Sequence, residues 1–290
     1  MSGPSYERPA SLSEAISLLS GSDGSYALSG GTDLAVAMRH GGTQPDLIVD
    51  IKAIPELKPS IEVSNGNFTI AANTVMTDLE NDENVRTGLP GLVEAAEVVG
   101  SVQIRNRATL AGNLCNASPA ADTPPVLMAL RAEFLTQGPS GSRTIPIDDF
   151  FVDYRTTALE PGELITVIRI PVPSERSSSS FLKLGVRRAM EISVVCVGAS
   201  LEISESGDIV SASVGLGSVA ATTFRPTEAE AMLVGQVPTQ ELFARAGEAA
   251  GDQCSPIDDL RASAEYRKAM VPVLVRRALS IAHERTGAGT

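Results

Sequence analysis

The chain has 290 residues, 43% hydrophobic and 20% charged, with a formal net charge of −12. That length suits one large domain or two to three smaller ones whose cores need no disulfide staples. The negative balance argues against nucleic acid or an anionic membrane surface as partner, and no apolar run approaches the roughly 18 residues of a membrane span. The N-terminus MSGPSYERPASL carries no signal-peptide pattern. Cys115, Cys196 and Cys254 are widely spaced and form no metal-ligand grouping, and two histidines, His40 and His283, exclude a multi-histidine metal site. A cytoplasmic protein with free thiols and no metal of its own is expected.

Ser11-Leu-Ser-Glu14 is a capping-box sequence ahead of Ala15, Ile16, Leu18 and Leu19, whose spacing predicts a helix ending at 21–24. YALSGGTDLAVAMRHGG (26–42) then joins a strand-like run to a short helix, 34–40, through Gly30 and Gly31. Paired glycines let the backbone turn with positive φ and expose its N–H groups without Cβ atoms in the way. Thr32 and Asp33 read as N-cap residues, and Gly41-Gly42 as the stop. A glycine-rich turn feeding a helix start is a ready anion site, and it is equally a plain strand–turn–helix connection. PDLIVDI (45–51) reads as a short buried strand that closes a compact first unit near 55–59.

Residues 60–76 alternate around Asn65-Gly66, a strong hairpin signal. A helix is predicted at 92–99, and 100–130 is the densest patch of Gly, Asn, Ser and Pro. It ends in a predicted helix started at Asp122 or Thr123, with Pro124 in the first turn. ELITVIRIPVP (163–173) reads as a strand, whereas SERSSSS (174–180) is low in complexity and predicts a surface loop or domain joint. Strands at 181–186, 192–204 and 209–219, then helices from 227 onward, make an α+β tail.

Taken together, GGTDL (30–34), QIRNRATLAGNLCNASPAAD (103–122) and the lysine and arginine pair of FLKLGVRRAMEIS (181–193) closely resemble the flavin-binding subunits of the molybdenum hydroxylase family. That family includes the medium subunits of carbon monoxide dehydrogenase-type enzymes and the FAD domain of xanthine dehydrogenase. The resemblance covers essentially the whole chain. It implies an α+β fold: a two-part FAD-binding region of the PCMH/vanillyl-alcohol-oxidase type, read as two small α/β units at 1–57 and 58–173, and a C-terminal antiparallel-sheet-and-helix domain, 174–290.

The resemblance also implies where FAD is held. Leu28, Ser29, Gly30, Gly31, Thr32, Asp33 and Leu34 would wrap its pyrophosphate, with Thr109, Ala111, Gly112 and Asn113 as the second wall. Asp122 matches a carboxylate directed at the flavin nucleotide; read from the residues alone, it is a cap for the following helix. Lys183 matches a lysine near the flavin, where a cation would stabilise the anionic reduced form, and Arg187-Arg188 matches the basic pair after it. A solvated strand-edge lysine is the alternative. Val99, Ile165 and Ile192 match apolar positions against the cofactor, which core packing explains equally well, and Ser118 with Pro119 shapes the loop.

Several residues depart from the pattern. Ala108 and Ala111 stand where many relatives have glycine, which alanine tolerates if φ stays negative. No histidine follows Gly31 directly, and His40 lies at the far end of the helix, so non-covalent FAD is expected. Cys115 falls inside the motif and is expected to be a small buried thiol. Gly215-x-Gly217-x-x-Ala220 mimics a dinucleotide fingerprint, yet it follows antiparallel-looking strands in the tail, so NAD binding there is rejected.

A [2Fe–2S] cluster needs four ligands, more than three scattered cysteines supply. The resemblance therefore implies an electron-transfer flavoprotein subunit with no catalytic residues of its own. Its partners would be a molybdopterin-binding large subunit and a [2Fe–2S] small subunit, in a heterotrimer doubled to a dimer of trimers. Two alternatives stay open: a self-contained flavin-dependent dehydrogenase and a flavin-free interaction module.

Overall fold

A computed structural model of the chain describes residues 3–187 and 189–287. Arg188, second of the basic pair, lies outside the described residues.

The first unit is a small parallel sheet in the order β1-β3-β2: β1 (Ser5–Glu7), β2 (Ser25–Leu28) and β3 (Leu47–Asp50). Helix α1 (Leu12–Ser20) crosses from β1 to β2 and buries Leu12, Ala15, Ile16 and Leu19. Ser11 Oγ accepts the Glu14 N–H, while the Glu14 carboxylate accepts from Ala10 N rather than from the cap residue itself. Between β2 and β3, the glycine turn leads into α2 (Leu34–Arg39), which buries none of its side chains. Asp33 occupies its N-cap position without a side-chain capping bond, contrary to expectation. Gly41, at φ +72°, and Gly42 close it as expected: their N–H groups satisfy the carbonyls of Met38 and Ala37.

The second unit is built on an antiparallel sheet, order β4-β5-β10-β6-β7, and so is not the α/β unit expected. Its strands are β4 (Ile61–Ser64), β5 (Asn67–Ala71), β6 (Glu133–Gly138), β7 (Gly141–Pro146) and β10 (Leu164–Pro171). Asn65 and Gly66 turn the first hairpin with φ of 50° and 75°, the type I′ geometry their sequence favours. Between β5 and β6 run α3 (Met76–Asn81), α4 (Glu83–Gly88), α5 (Pro90–Glu97), α6 (Val102–Arg105), α7 (Leu110–Cys115) and α8 (Thr123–Ala129). A small hairpin, β8 (Phe151–Asp153) and β9 (Thr156–Thr157), projects between β7 and β10.

The third sheet is antiparallel, β11 (Ser177–Leu184), β12 (Val195–Ile203) and β13 (Ile209–Gly217), and is followed by α9 (Thr227–Ala231), α10 (Gln240–Asp252) and α11 (Ala264–Arg285). The serine run is not the surface loop expected. Ser178, Ser179 and Ser180 are buried in β11, and the small side chain is what the site demands. Ser180 Oγ donates to Ala278 O of α11, and Ser179 Oγ accepts Gly91 N of α5. On the same strand, the Phe181 N–H donates to the Glu94 carboxylate and Arg285 donates to Ser179 O, so an ion pair covers part of the strand edge.

Two apolar cores result. One joins the first two sheets with α8, and the other fills the space between the third sheet, α10 and α11. Helix α8 lies directly on the third sheet. A Cβ on Gly198 would sit 2.4 Å from Val126 Cα, and one on Gly215 would sit 2.0 Å from Pro125 O. Close helix approach, not a nucleotide, accounts for the glycines that mimic a fingerprint.

Glu163 shows how strongly the second sheet is pinned. Its buried carboxylate accepts from Arg143 at 2.6 Å and 2.7 Å, from Thr136 Oγ1 and from Glu160 N. Burial alone would push this carboxyl up; those donors outweigh it and hold the pKa at about 2, below its ordinary 4.5. A depressed folded-state pKa stabilises above the unfolded value and stops doing so as pH falls through the folded one. In chemical denaturation, Glu163→Gln is therefore expected to lose about 1–3 kcal/mol near pH 7, with the gap to the parent closing between pH 4.5 and about 2.

Candidate functional site

Two loops from different sheets meet backbone to backbone. A Cβ built on Gly30 would lie 2.1 Å from Arg107 O, so only glycine lets the 28–34 turn lie against the segment that leads into α7. Gly31 has φ +76°, and a Cβ there would meet Leu28 Cδ1 at 2.7 Å. Across the contact, Ser29 Oγ donates to Asn73 Oδ1 at 2.6 Å and lies 3.2 Å from Thr109 Oγ1. Buried Asn73 in turn donates to Ile51 O, tying both loops to the end of β3. Met76 N to Ala108 O and Leu110 N to Thr74 O complete the frame.

This geometry leaves donors unused. Among the described residues, no backbone N–H of 29–34 donates to another protein group. These residues are partly exposed or exposed, and a run of backbone donors open to solvent in a glycine turn forms a concavity for an anion. On the opposing side Thr109 Oγ1 accepts the Gly112 N–H at 3.1 Å as N-cap of α7. Asn113 Oδ1 accepts from Thr123 Oγ1, which leaves the Asn113 amide NH2 as its outward donor. Ala108 and Ala111 are buried and have no positive φ, so alanine is accommodated at both positions.

Asp122 precedes α8 but makes no capping bond. Its carboxylate pairs with Lys183 Nζ at 2.8 Å and accepts from Ser193 Oγ at 2.7 Å. Lys183 also donates to Glu191 O, and its side chain is only 10% exposed, so it is no solvated edge lysine. Burial pushes the Asp122 carboxyl above the usual carboxylate range, while the Lys183 ammonium and the Ser193 hydroxyl pull it back. The pair locks the third sheet to the second loop, as does Ser218 N donating to Pro119 O.

The remaining positions divide. Ser118 shapes its loop through Ala120 N and Ala121 N. Ile165 is buried in the first core and Val99 packs against that core, whereas Ile192 is half exposed beyond Met190. Cys115, at the end of α7, is exposed as a residue, yet its thiol is crowded by protein atoms and burial pushes its pKa up to about 12. Asn73, Ser193 and Thr123 were not legible as site residues. Each lies outside any local motif that names its partner, and only folding reveals the group it holds.

Comparison with known proteins identifies the fold as a flavin-binding module of an oxidoreductase. The family described as FAD binding domain in molybdopterin dehydrogenase matches residues 2–173, and CO dehydrogenase flavoprotein C-terminal domain matches residues 180–282. The carbon monoxide dehydrogenase medium chain of Hydrogenophaga pseudoflava is 35% identical, over 97% of each chain. The glyceraldehyde dehydrogenase medium chain of Sulfolobus acidocaldarius is 32% identical, over 94% of this chain and 96% of its own. A solved structure of the Hydrogenophaga pseudoflava carbon monoxide dehydrogenase superposes with a TM-score of 0.94, at 34% identity and 98% coverage of each chain. The chain belongs to the FAD-binding flavoprotein subunits of the molybdenum hydroxylase family.

The Gly30 contact yields a direct test. Gly30→Ala forces the two loops apart by placing a methyl group against a backbone carbonyl, an overpacking that costs about 1–3 kcal/mol. Thermal unfolding is expected to fall to match, and FAD retained through gel filtration to drop with it.

Proposed function

We propose that this chain is the FAD-carrying electron-transfer subunit of a heterotrimeric molybdenum hydroxylase. It takes electrons from the [2Fe–2S] clusters of a small partner chain after a molybdopterin-bearing large chain has oxidised the organic substrate. The observation that carries the reading is the run of unpaired N–H groups over 29–34, held by the Gly30 contact against the Thr109–Asn113 wall. Such donors fit a diphosphate, because neutral N–H groups tolerate close approach and need no long side chains.

When bound, FAD supplies a centre that exchanges electrons one or two at a time. The protein's own residues bind and orient it. The 28–34 turn and the 109–113 segment grip the diphosphate in the cleft between the units 1–57 and 58–173. Asp122, fixed by Lys183 and Ser193, presents its remaining acceptor capacity beside the second loop. Lys183 keeps a positive charge at low solvent exposure, where its field is weakly screened and favours a reduced, more negative cofactor. Val99 and Ile192 offer apolar contact, and residues 174–290 buttress the second loop. With no histidine beside the Gly30-Gly31 turn, the cofactor is held without a covalent bond. The complex is a dimer of heterotrimers in the cytoplasm. Among the described residues no helix is long and apolar enough to cross a membrane.

The purified chain is expected to retain FAD with its visible absorbance and to be bleached by an artificial reductant. Organic substrate should bleach it only after both partner chains are added; bleaching by substrate alone contradicts the reading. Gly31→Val, which puts a branched side chain at a positive φ and against Leu28 Cδ1, deforms the turn and is expected to lose flavin retention.

A further inference from the structure

The loops supply neutral donors only, and a diphosphate brings negative charge that such donors do not neutralise. Three cations of these segments are already committed. Lys183 is paired with Asp122, Lys52 with Asp50 and Arg105 with Glu80. Asp33, in the first loop, adds a negative charge of its own beside the anion site.

Arg155 stands apart. It occupies the tip of the β8–β9 hairpin at φ +51°, a left-handed conformation that non-glycine residues seldom adopt. The base of that hairpin is fixed, since Phe151 packs edge-on against buried Phe150 and Ala158 N donates to Phe150 O. From there Arg155 reaches back across the chain, and its guanidinium donates to Asn116 Oδ1 at 3.2 Å, at the end of α7. Its charge also bears on the first loop: burial pushes the Asp33 carboxyl above its usual range, and the Arg155 guanidinium pulls it back. The guanidinium is thus held at the end of α7 by one hydrogen bond to a neutral amide and lies 5.9 Å from the Tyr154 ring, with no carboxylate paired to it among the described residues. Guanidinium is the side-chain group best shaped for phosphate oxygens.

We propose that Arg155 is a ligand of the cofactor's diphosphate, a hairpin-borne cation that offsets the phosphate charge and screens Asp33. The proposal rests on the flavin reading of the two loops. Its test is a set of titrations on the flavin-stripped full chain with FAD, ADP and riboflavin, which separate the diphosphate from the ring. Arg155→Gln is expected to weaken FAD and ADP by about tenfold, the scale of one charge-assisted contact, and to leave riboflavin unchanged. Added salt should weaken FAD binding less in the variant than in the parent. Because Arg155 is exposed, the melting temperature should stay close to that of the parent.

Equal ADP affinity in Arg155→Gln and parent overturns the proposal, and so does an equal loss for riboflavin, which marks a merely structural role. Arg107, exposed and adjacent to Gly30 through its carbonyl, is the control; loss of ADP binding in Arg107→Gln instead of Arg155→Gln reassigns the cation and overturns the proposal. A parent chain that binds neither FAD nor ADP defeats the flavin reading itself, and the proposal with it.

Discussion

The contact between Gly30 and the Arg107 carbonyl governs the rest of the site. It brings a turn of the parallel sheet against a segment that belongs to the antiparallel one, at a separation no side chain permits. Two such backbones do not approach of their own accord. Desolvating their polar groups is unfavourable unless hydrogen bonds replace water. The replacements are Ser29, Asn73 and Thr109, which link to one another and to Ile51 O, with the main-chain bonds at Ala108 and Leu110 beside them. The 29–34 donors stay unused because the turn's other bonds have been spent in holding it there. The run of free donors is thus a by-product of how the two units are joined.

The third sheet contributes to the same end by a different route. Buried Asp122 and Lys183 are unfavourable to place in a low-dielectric interior, and an apolar pair would hold the sheets together at least as well. What the pair adds is a fixed, directional link between Asp122, Lys183 and Ser193. The helix between them, α8, is pressed so closely on the sheet that Gly198 and Gly215 have no room for a Cβ. The C-terminal sheet and the loop that ends at Asp122 are thus packed as one body.

Much of this was legible in the chain itself. The Gly30-Gly31 turn, the Asn65-Gly66 hairpin and the strand at 163–173 announce themselves through local chemistry: positive φ, type I′ geometry and apolar alternation. What escaped was long-range. The serine run at 174–180 reads as a loop because nothing local reports that α5 and α11 press on it and leave room only for small polar side chains. Asp122 reads as a helix cap because its true partner stands 61 positions later. Asn73 carries no signal of its own, although it is the post on which both loops hang.

The central claim is that the donors at 29–34, facing 109–113, receive the cofactor's phosphates. Hydrogen–deuterium exchange on the flavin-stripped chain, with and without FAD, tests it most directly, because these amides have no partner to protect them until the ligand arrives. FAD should slow exchange across 29–34 and at Ala111, whose N–H is likewise without a protein partner among the described residues. Stoichiometric FAD binding that leaves exchange over 29–34 unchanged, with protection confined to other segments, would contradict it.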